Sequence, residues 1–243
     1  MREIIFKRIK FLDLNESESK KIINNNGLFV FPSGPGLETI NQNNSYHNAL
    51  KEADYVFFDS GYFVLLLKLL KNVSVKKYSG FKFLKFFFSY LSKNNDKSLF
   101  CIDPNDKFSQ KNKEFFKNLE INNTYSYVAP IYNSQKIEDY NLIKILEEIK
   151  PDYIMTNIGG GTQEILGLFL KKKLKFKTTI LCTGGAISFF TRDQAPINYI
   201  IDRLSLGWLV RIIFRPKVFF FRYFKAIKLI SIVFKENIIV KTF

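Results

Sequence analysis

The residues able to do chemistry in this chain are few, and most sit at the ends of short apolar runs. Asp59 follows residues 55–58 (YVFF) and precedes Ser60-Gly61. A carboxylate there can take a proton from a substrate hydroxyl as a general base. It can equally cap the helix that follows, and without analogy the cap is the better reading, since Asp is among the best caps. Asp103 follows residues 98–102 (SLFCI) and precedes Pro104, which reads as a turn. Gly159, Gly160 and Gly161 follow residues 153–158 (YIMTNI) and precede Thr162-Gln163-Glu164. Bare backbone at a helix start can cradle a phosphate or a diphosphate-sugar, although glycine turns also serve plain chain reversal. Gln163 could read a sugar or uracil edge, or stand exposed in the first helical turn. Thr183, Gly184 and Gly185 end a further apolar run, residues 179–182 (TILC).

Other chemistries are excluded. No GxGxxG fingerprint follows the first apolar run, and there is no P-loop and no GxSxG elbow. His47 is the only histidine, so a His-rich metal site is impossible; in its polar stretch (NNSYHNAL) it reads as surface. Cys101 and Cys182 are the only cysteines. They rule out a disulfide framework and a thiolate zinc site, and fit a reducing compartment.

The elements that must position these residues follow from the same runs. Residues 28–31, 55–58, 98–102, 125–129, 153–158 and 179–182 read as strands. Helices are expected from about Leu37, over 62–70, 137–149 and 162–170. This alternation predicts an α/β fold of βαβ units around a buried, mostly parallel sheet. In such sheets the ligand crevice lies beyond the carboxyl ends of the strands. The candidate site is therefore the ring of Gly34, Asp59, Asp103, residues 159–163 and residues 183–185. The 243 residues fit one large domain with an appendage. We divide them into a Rossmann-like core, 1–196, and a C-terminal appendage, 197–243. No apolar stretch reaches the 18 or so residues of a spanning helix, and no signal peptide is visible. The expected setting is the cytoplasm.

Lys+Arg number 37 and Asp+Glu 22, a net charge of +15. Between Lys171 and Phe243 there are 15 basic residues and 3 acidic ones, so most of the excess lies in the last third. Such asymmetry suggests a polyanionic partner, nucleic acid or an acidic membrane surface. Projected on a helix, Arg211, Arg215, Arg222, Lys225 and Lys228 share one side, about 140° wide. Phe219, Phe220, Ile227 and Ile230 fall on the other. Pro216 argues against a single continuous helix.

The order of these motifs resembles the WecG/TagA/CpsF family of bacterial glycosyltransferases, from about Gly27 to Tyr223. The segment Ala53-Asp54-Tyr55-Val56-Phe57-Phe58-Asp59-Ser60-Gly61 is similar to the family's ADxVxxDGxG. Residues 151–164, from Pro151-Asp152 to Gln163-Glu164, resemble its PDxxxVxxGxPxQE. Gly184-Gly185-Ala186 and Ala195-Pro196 resemble its glycine pair and RAP. Residues 206–211, Arg215-Pro216 and Arg222-Tyr223 resemble its LEWxxR…P…RY ending. The resemblance implies transfer of an N-acetylated hexosamine or related sugar from a UDP-sugar to a polyprenyl-diphosphate-linked sugar, inverting and without metal or other cofactor. It implies a peripheral place on the inner face of the cell membrane. Asp59 matches the aspartate that serves as base. Gln163 matches a donor-pocket residue, with Gly159, Gly160, Gly161, Gly184 and Gly185 beside it. Lys77, Arg211, Arg215 and Arg222 match positions that meet the acceptor and diphosphate. The chain departs from the family at Gly34, Ser60, Lys77, Gln194 and Gly207.

Two other readings stand beside the transferase. The departures fit a non-catalytic protein of the same fold that binds a nucleotide-sugar or docks on a glycan-assembly partner. Charge and aromatics alone fit a nucleic-acid binder, but no RNP, zinc-finger or helix-turn-helix signature supports it, and no nucleic-acid partner is expected. The aromatic tail could also pack against another subunit as readily as against lipid.

Overall fold

The computed structural model describes residues 1–14, 16–133, 136–191, 207–214 and 216–242. It begins with a hairpin, β1 (Arg2–Phe6) and β2 (Ile9–Asp13), in which Phe6 faces Ile9. Lys7 and Arg8 form its turn at φ 52° and 63°. Positive φ at both central residues is the type I′ geometry, usually given to Asn-Gly. No turn signature marks this one, so the sequence reading leaves the hairpin unassigned.

After α1 (Glu16–Lys21), the central strands and helices alternate. They are β3 (Gly27–Val30), α2 (Gly34–Leu37), α3 (Asn44–Lys51), β4 (Tyr55–Phe57), α4 (Gly61–Lys71), α5 (Gly80–Leu91), β5 (Leu99–Asp103) and α6 (Asp106–Asn118). Then come β6 (Thr124–Val128), α7 (Tyr140–Ile149), β7 (Tyr153–Thr156), α8 (Thr162–Lys173) and β8 (Thr179–Cys182). The helix expected from about Leu37 begins later. Residues 34–37 form one turn, and the longer helix starts at Asn44, where the Asn43 side chain accepts from the Tyr46 amide (2.9 Å).

Among the described residues nine strands make one sheet, ordered β6-β5-β7-β8-β3-β4-β2-β1-β9. Strands β2 to β8 run parallel, and β1 is antiparallel to both its neighbours. The architecture follows from side chains alternating across each strand. Leu28, Val30, Val56, Phe58, Phe100, Ile102, Ile154, Ile180 and Cys182 face one core, under α3, α4, α7 and α8. Phe29, Phe31, Phe57, Leu99, Cys101, Tyr153, Met155 and Leu181 face the other, under α5 and α6. A sheet apolar on both faces must be covered on both. In α5 the buried residues Phe83, Leu84, Phe87, Phe88 and Leu91 repeat at helical spacing. Phe81 and Phe86 lie off that stripe and blur it in the sequence.

The chain ends in α9 (Gly207–Phe214), α10 (Pro216–Lys225), α11 (Leu229–Lys235) and β9 (Ile239–Thr242). Pro216 opens α10, where a missing N–H costs nothing, and Arg215 before it lies outside the described residues. The last part of the tail is seated on the core. Leu229 and Val233 are buried, Lys71 donates to the Phe234 carbonyl (2.8 Å), and β9 pairs with β1. The division at 196/197 falls outside the described residues. Among the described residues, no helix is long and apolar enough to cross a membrane.

Helix α8 lies hard against the sheet at Gly167, where a Cβ would stand 2.7 Å from Leu28 Cδ1 and 2.8 Å from Cys182 Sγ. Gly167→Ala is expected to destabilise the fold by roughly 1–3 kcal/mol through overpacking. Denaturant melts measure it, and an unchanged midpoint contradicts this packing.

Candidate active site

Asp59 lies two residues beyond β4. It is not the helix cap: Ser60 takes that role, its Oγ accepting from the Phe63 amide (3.2 Å). The half-buried Asp59 carboxylate turns elsewhere, and its Oδ1 accepts from the Gly80 amide (2.9 Å). Gly80 opens α5, capped by Ser79, whose Oγ accepts from the Lys82 amide (3.1 Å). Gly80 packs closely on the end of β8, since a Cβ would lie 3.1 Å from the Thr183 carbonyl, a tight contact, and 3.5 Å from its Cβ. The ends of β4 and β8 and the start of α5 therefore meet at one point. Gly34 joins them from β3, where a Cβ would lie 2.9 Å from Ser60 Oγ. Thr183 Oγ1, in the same place, is buried with no hydrogen-bond partner among the described residues.

The two glycine turns lie on the same edge. A Cβ at Gly159 or Gly160 would meet none of the described residues within 4 Å, and both residues are exposed. Neither has positive φ, so among the described residues no contact or strain explains glycine there. Bare backbone facing open space is what a ligand approaching closely requires. Gly161 precedes α8 at φ 91°. Gly184 turns the chain at φ 67°, with Gly185 behind it.

Gln163 is not the exposed first-turn residue of the bland reading. It is 1% exposed, and its side chain is spent on the protein. Its Nε2 donates to Glu164 Oε1 (2.9 Å) and to the Cys182 carbonyl (3.3 Å), and its Oε1 accepts from the Gly184 amide (2.9 Å). Glu164 Oε2 in turn accepts from the Gly161 amide (2.6 Å).

Asp103 is also no turn residue. It ends β5 fully buried, and its Oδ1 accepts from Asn112 Nδ2 and Asn157 Nδ2, both at 2.7 Å, so it staples α6 and the end of β7 to β5. Burial pushes its carboxyl up despite these bonds. Lys77 is half-buried in the loop that leads to Gly80. Arg211 lies on α9 and Arg222 on α10. Arg215 lies outside the described residues. His47 is half-buried rather than on the surface, its Nε2 hydrogen-bonded to the Lys7 carbonyl (2.8 Å).

Two aspartates of the sequence motifs are structural and precede their strands. Asp54 Oδ2 accepts from the Leu28 amide (2.8 Å), and Asp152 Oδ2 from the Ser98 amide and hydroxyl (both 2.9 Å). Among the described residues, no group of three or more His, Cys, Asp or Glu side chains is placed to hold a metal ion.

Sequence reasoning missed two groups of the crevice, Glu164 and Tyr46. Burial pushes the Glu164 carboxyl up to about 7, against the bonds from Gln163 and Gly161, and the Asp59 charge adds to the rise. Burial, then Glu164 and Asp59, push the Tyr46 phenol up. Its hydroxyl stands 2.7 Å from where a Gly36 Cβ would be. The one available signal was the Glu three residues after Gly161, the spacing of a capping box.

A carboxyl whose folded pKa exceeds its unfolded value holds an extra proton in the native state. Stability then falls as pH rises between the two values, here from about 4.5 to about 7. Across that window the wild type is expected to lose roughly 3 kcal/mol relative to Glu164→Gln. Urea melts at both pH values measure it, and a constant difference contradicts a raised Glu164.

Comparison with known proteins fits this geometry. An N-acetylglucosaminyldiphosphoundecaprenol N-acetyl-beta-D-mannosaminyltransferase of Staphylococcus aureus strain NCTC 8325 / PS 47 is 21% identical over 193 residues. The match covers 76% of this chain and 72% of that protein. Proteins of the same name from strains COL and MRSA252 match to the same extent. The family profile described as "Glycosyl transferase WecG/TagA/CpsF family" matches residues 4–242. The chain belongs to the WecG/TagA/CpsF family of glycosyl transferases.

Proposed function

We propose that this chain moves an N-acetylhexosamine or related sugar from a UDP-sugar to a polyprenyl-diphosphate-linked saccharide in cell-surface polysaccharide synthesis, with inversion and without a metal. One observation carries the reading. The Asp59 carboxylate is held by the Gly80 amide at the strand-end crevice, while Ser60 caps the helix that follows. The matched relatives are named for action on N-acetylglucosaminyldiphosphoundecaprenol, which supports the acceptor class.

In this mechanism Asp59 takes the proton of the acceptor hydroxyl. The acceptor oxygen attacks the anomeric carbon from the face opposite the diphosphate. A carbon–oxygen bond forms there as the bond to the diphosphate breaks, and UDP leaves. The turns at 159–161 and 183–185 receive the diphosphate through backbone N–H groups other than those of Gly161 and Gly184, which Glu164 and Gln163 engage, aided by the positive end of α8. Lys77, Arg211, Arg215 and Arg222 neutralise its charge, and bidentate arginines do this without a metal.

The acceptor's lipid stays in the bilayer, so the enzyme works at the membrane surface. The tail suits that place. Phe221 and Phe224 are 67% and 63% exposed, and Phe220, Ile227 and Phe234 are exposed with them. Lys217, Lys225 and Lys228 are exposed on the same segments. Apolar side chains rimmed by cations bind anionic lipid surfaces.

Asp59→Asn is expected to keep UDP affinity and lose turnover by about a hundred-fold or more. Calorimetry and a UDP-release assay measure the two, and undiminished turnover contradicts the base assignment. Replacing Phe220, Phe221 and Phe224 together with serine is expected to cut sedimentation with anionic vesicles. Undiminished sedimentation places lipid binding elsewhere.

A further inference from the structure

Gln163 and Glu164 form a chain of hydrogen bonds between two turns that are 23 residues apart in sequence, from the Gly161 amide to the Gly184 amide. Both N–H groups of the Gln163 carboxamide are engaged, one by Glu164 and one by the Cys182 carbonyl. Both side chains are 1% exposed. A buried carboxylate is a costly way to fill space, since an apolar pair of the same volume would serve the fold as well or better. What an apolar pair could not do is hold two backbone amides in fixed directions. Those amides belong to turns at the open edge of the sheet, one of them beside glycines whose missing side chains no described residue explains.

We propose that Gln163 and Glu164 act as one positioning unit. They fix the spacing and direction of the two glycine turns that receive the donor's diphosphate, and they do not themselves touch the donor. This rests on the UDP-sugar reading above. It changes the role implied for Gln163 by family resemblance, from donor contact to support of the donor site. Glu164 becomes as important as Gln163, because each bond in the chain depends on the next.

The test is a double-mutant cycle read by UDP affinity, with donor KM, acceptor KM and kcat alongside. Gln163→Met keeps the side-chain length without the carboxamide. Glu164→Gln keeps the shape but has one acceptor oxygen where two are needed. Each single variant is expected to weaken UDP binding about ten-fold, with donor KM rising in step and acceptor KM unchanged. The double variant is expected to be no weaker than either single one, because parts of one unit are not additive. Wild-type UDP affinity in Glu164→Gln, or strict additivity, overturns the proposal. A fall confined to Gln163→Met overturns it in favour of direct contact. One readout needs no variant: in the unliganded wild type, the Gly161 and Gly184 amide hydrogens are expected to exchange slowly with solvent. Fast exchange at both overturns the proposal even if the variants fail to fold. A wild type that binds no UDP defeats the donor reading instead, and the exchange rates still decide whether Gln163 and Glu164 hold the two turns.

Discussion

The bond from the Gly80 amide to the Asp59 carboxylate is the contact on which the site depends. It needs the start of α5 at the end of β4. That in turn favours glycine at position 80, because the Thr183 carbonyl would crowd a Cβ there. It also needs Asp59 to be free of the capping duty its position invites, which Ser60 provides. One short hydrogen-bonded contact thus aligns β4, α5 and β8. The carboxylate is fixed in direction at the edge where a parallel sheet places its ligands.

The same edge shows how the fold separates structure from chemistry. Asp54 and Asp152 precede strands and lock neighbouring strands by their amides. Asp103 ends a strand but is buried and spent on two asparagines. Asp59 alone of these four carboxylates combines a strand-end position with partial exposure and a neighbouring carboxylate that feels its charge. Residue type and spacing do not separate the four; burial and partners do.

Much of the sheet was legible because its strands are apolar on both faces and end in turn residues. Residues 28–31, 55–58, 98–102 and 179–182 read as strands for that reason, and β3, β4, β5 and β8 occupy them. The hairpin was not legible, since Lys7 and Arg8 carry the positive φ that glycine or asparagine would have announced. Strand β9 was hidden too, because an exposed edge strand has no buried face to mark it. At the site, the positions of Asp59 and the glycine turns could be read from strand ends. The cap swap between Asp59 and Ser60 could not, because both residues cap well. The burial of Gln163 and Glu164 could not be read either, since polar residues in a first helical turn are ordinarily exposed. The C-terminal tail gave its charge, but not the docking of Leu229 and Val233 beside α4.

The most direct test of the account is a UDP-release assay on the folded wild-type chain. It is run with a UDP-N-acetylhexosamine, with and without a polyprenyl-diphosphate-linked saccharide, in metal-free buffer. The account predicts release that requires both substrates and yields one glycosylated lipid per UDP. Tight UDP binding with no release in the presence of both would contradict catalysis and leave a protein that only holds the nucleotide-sugar.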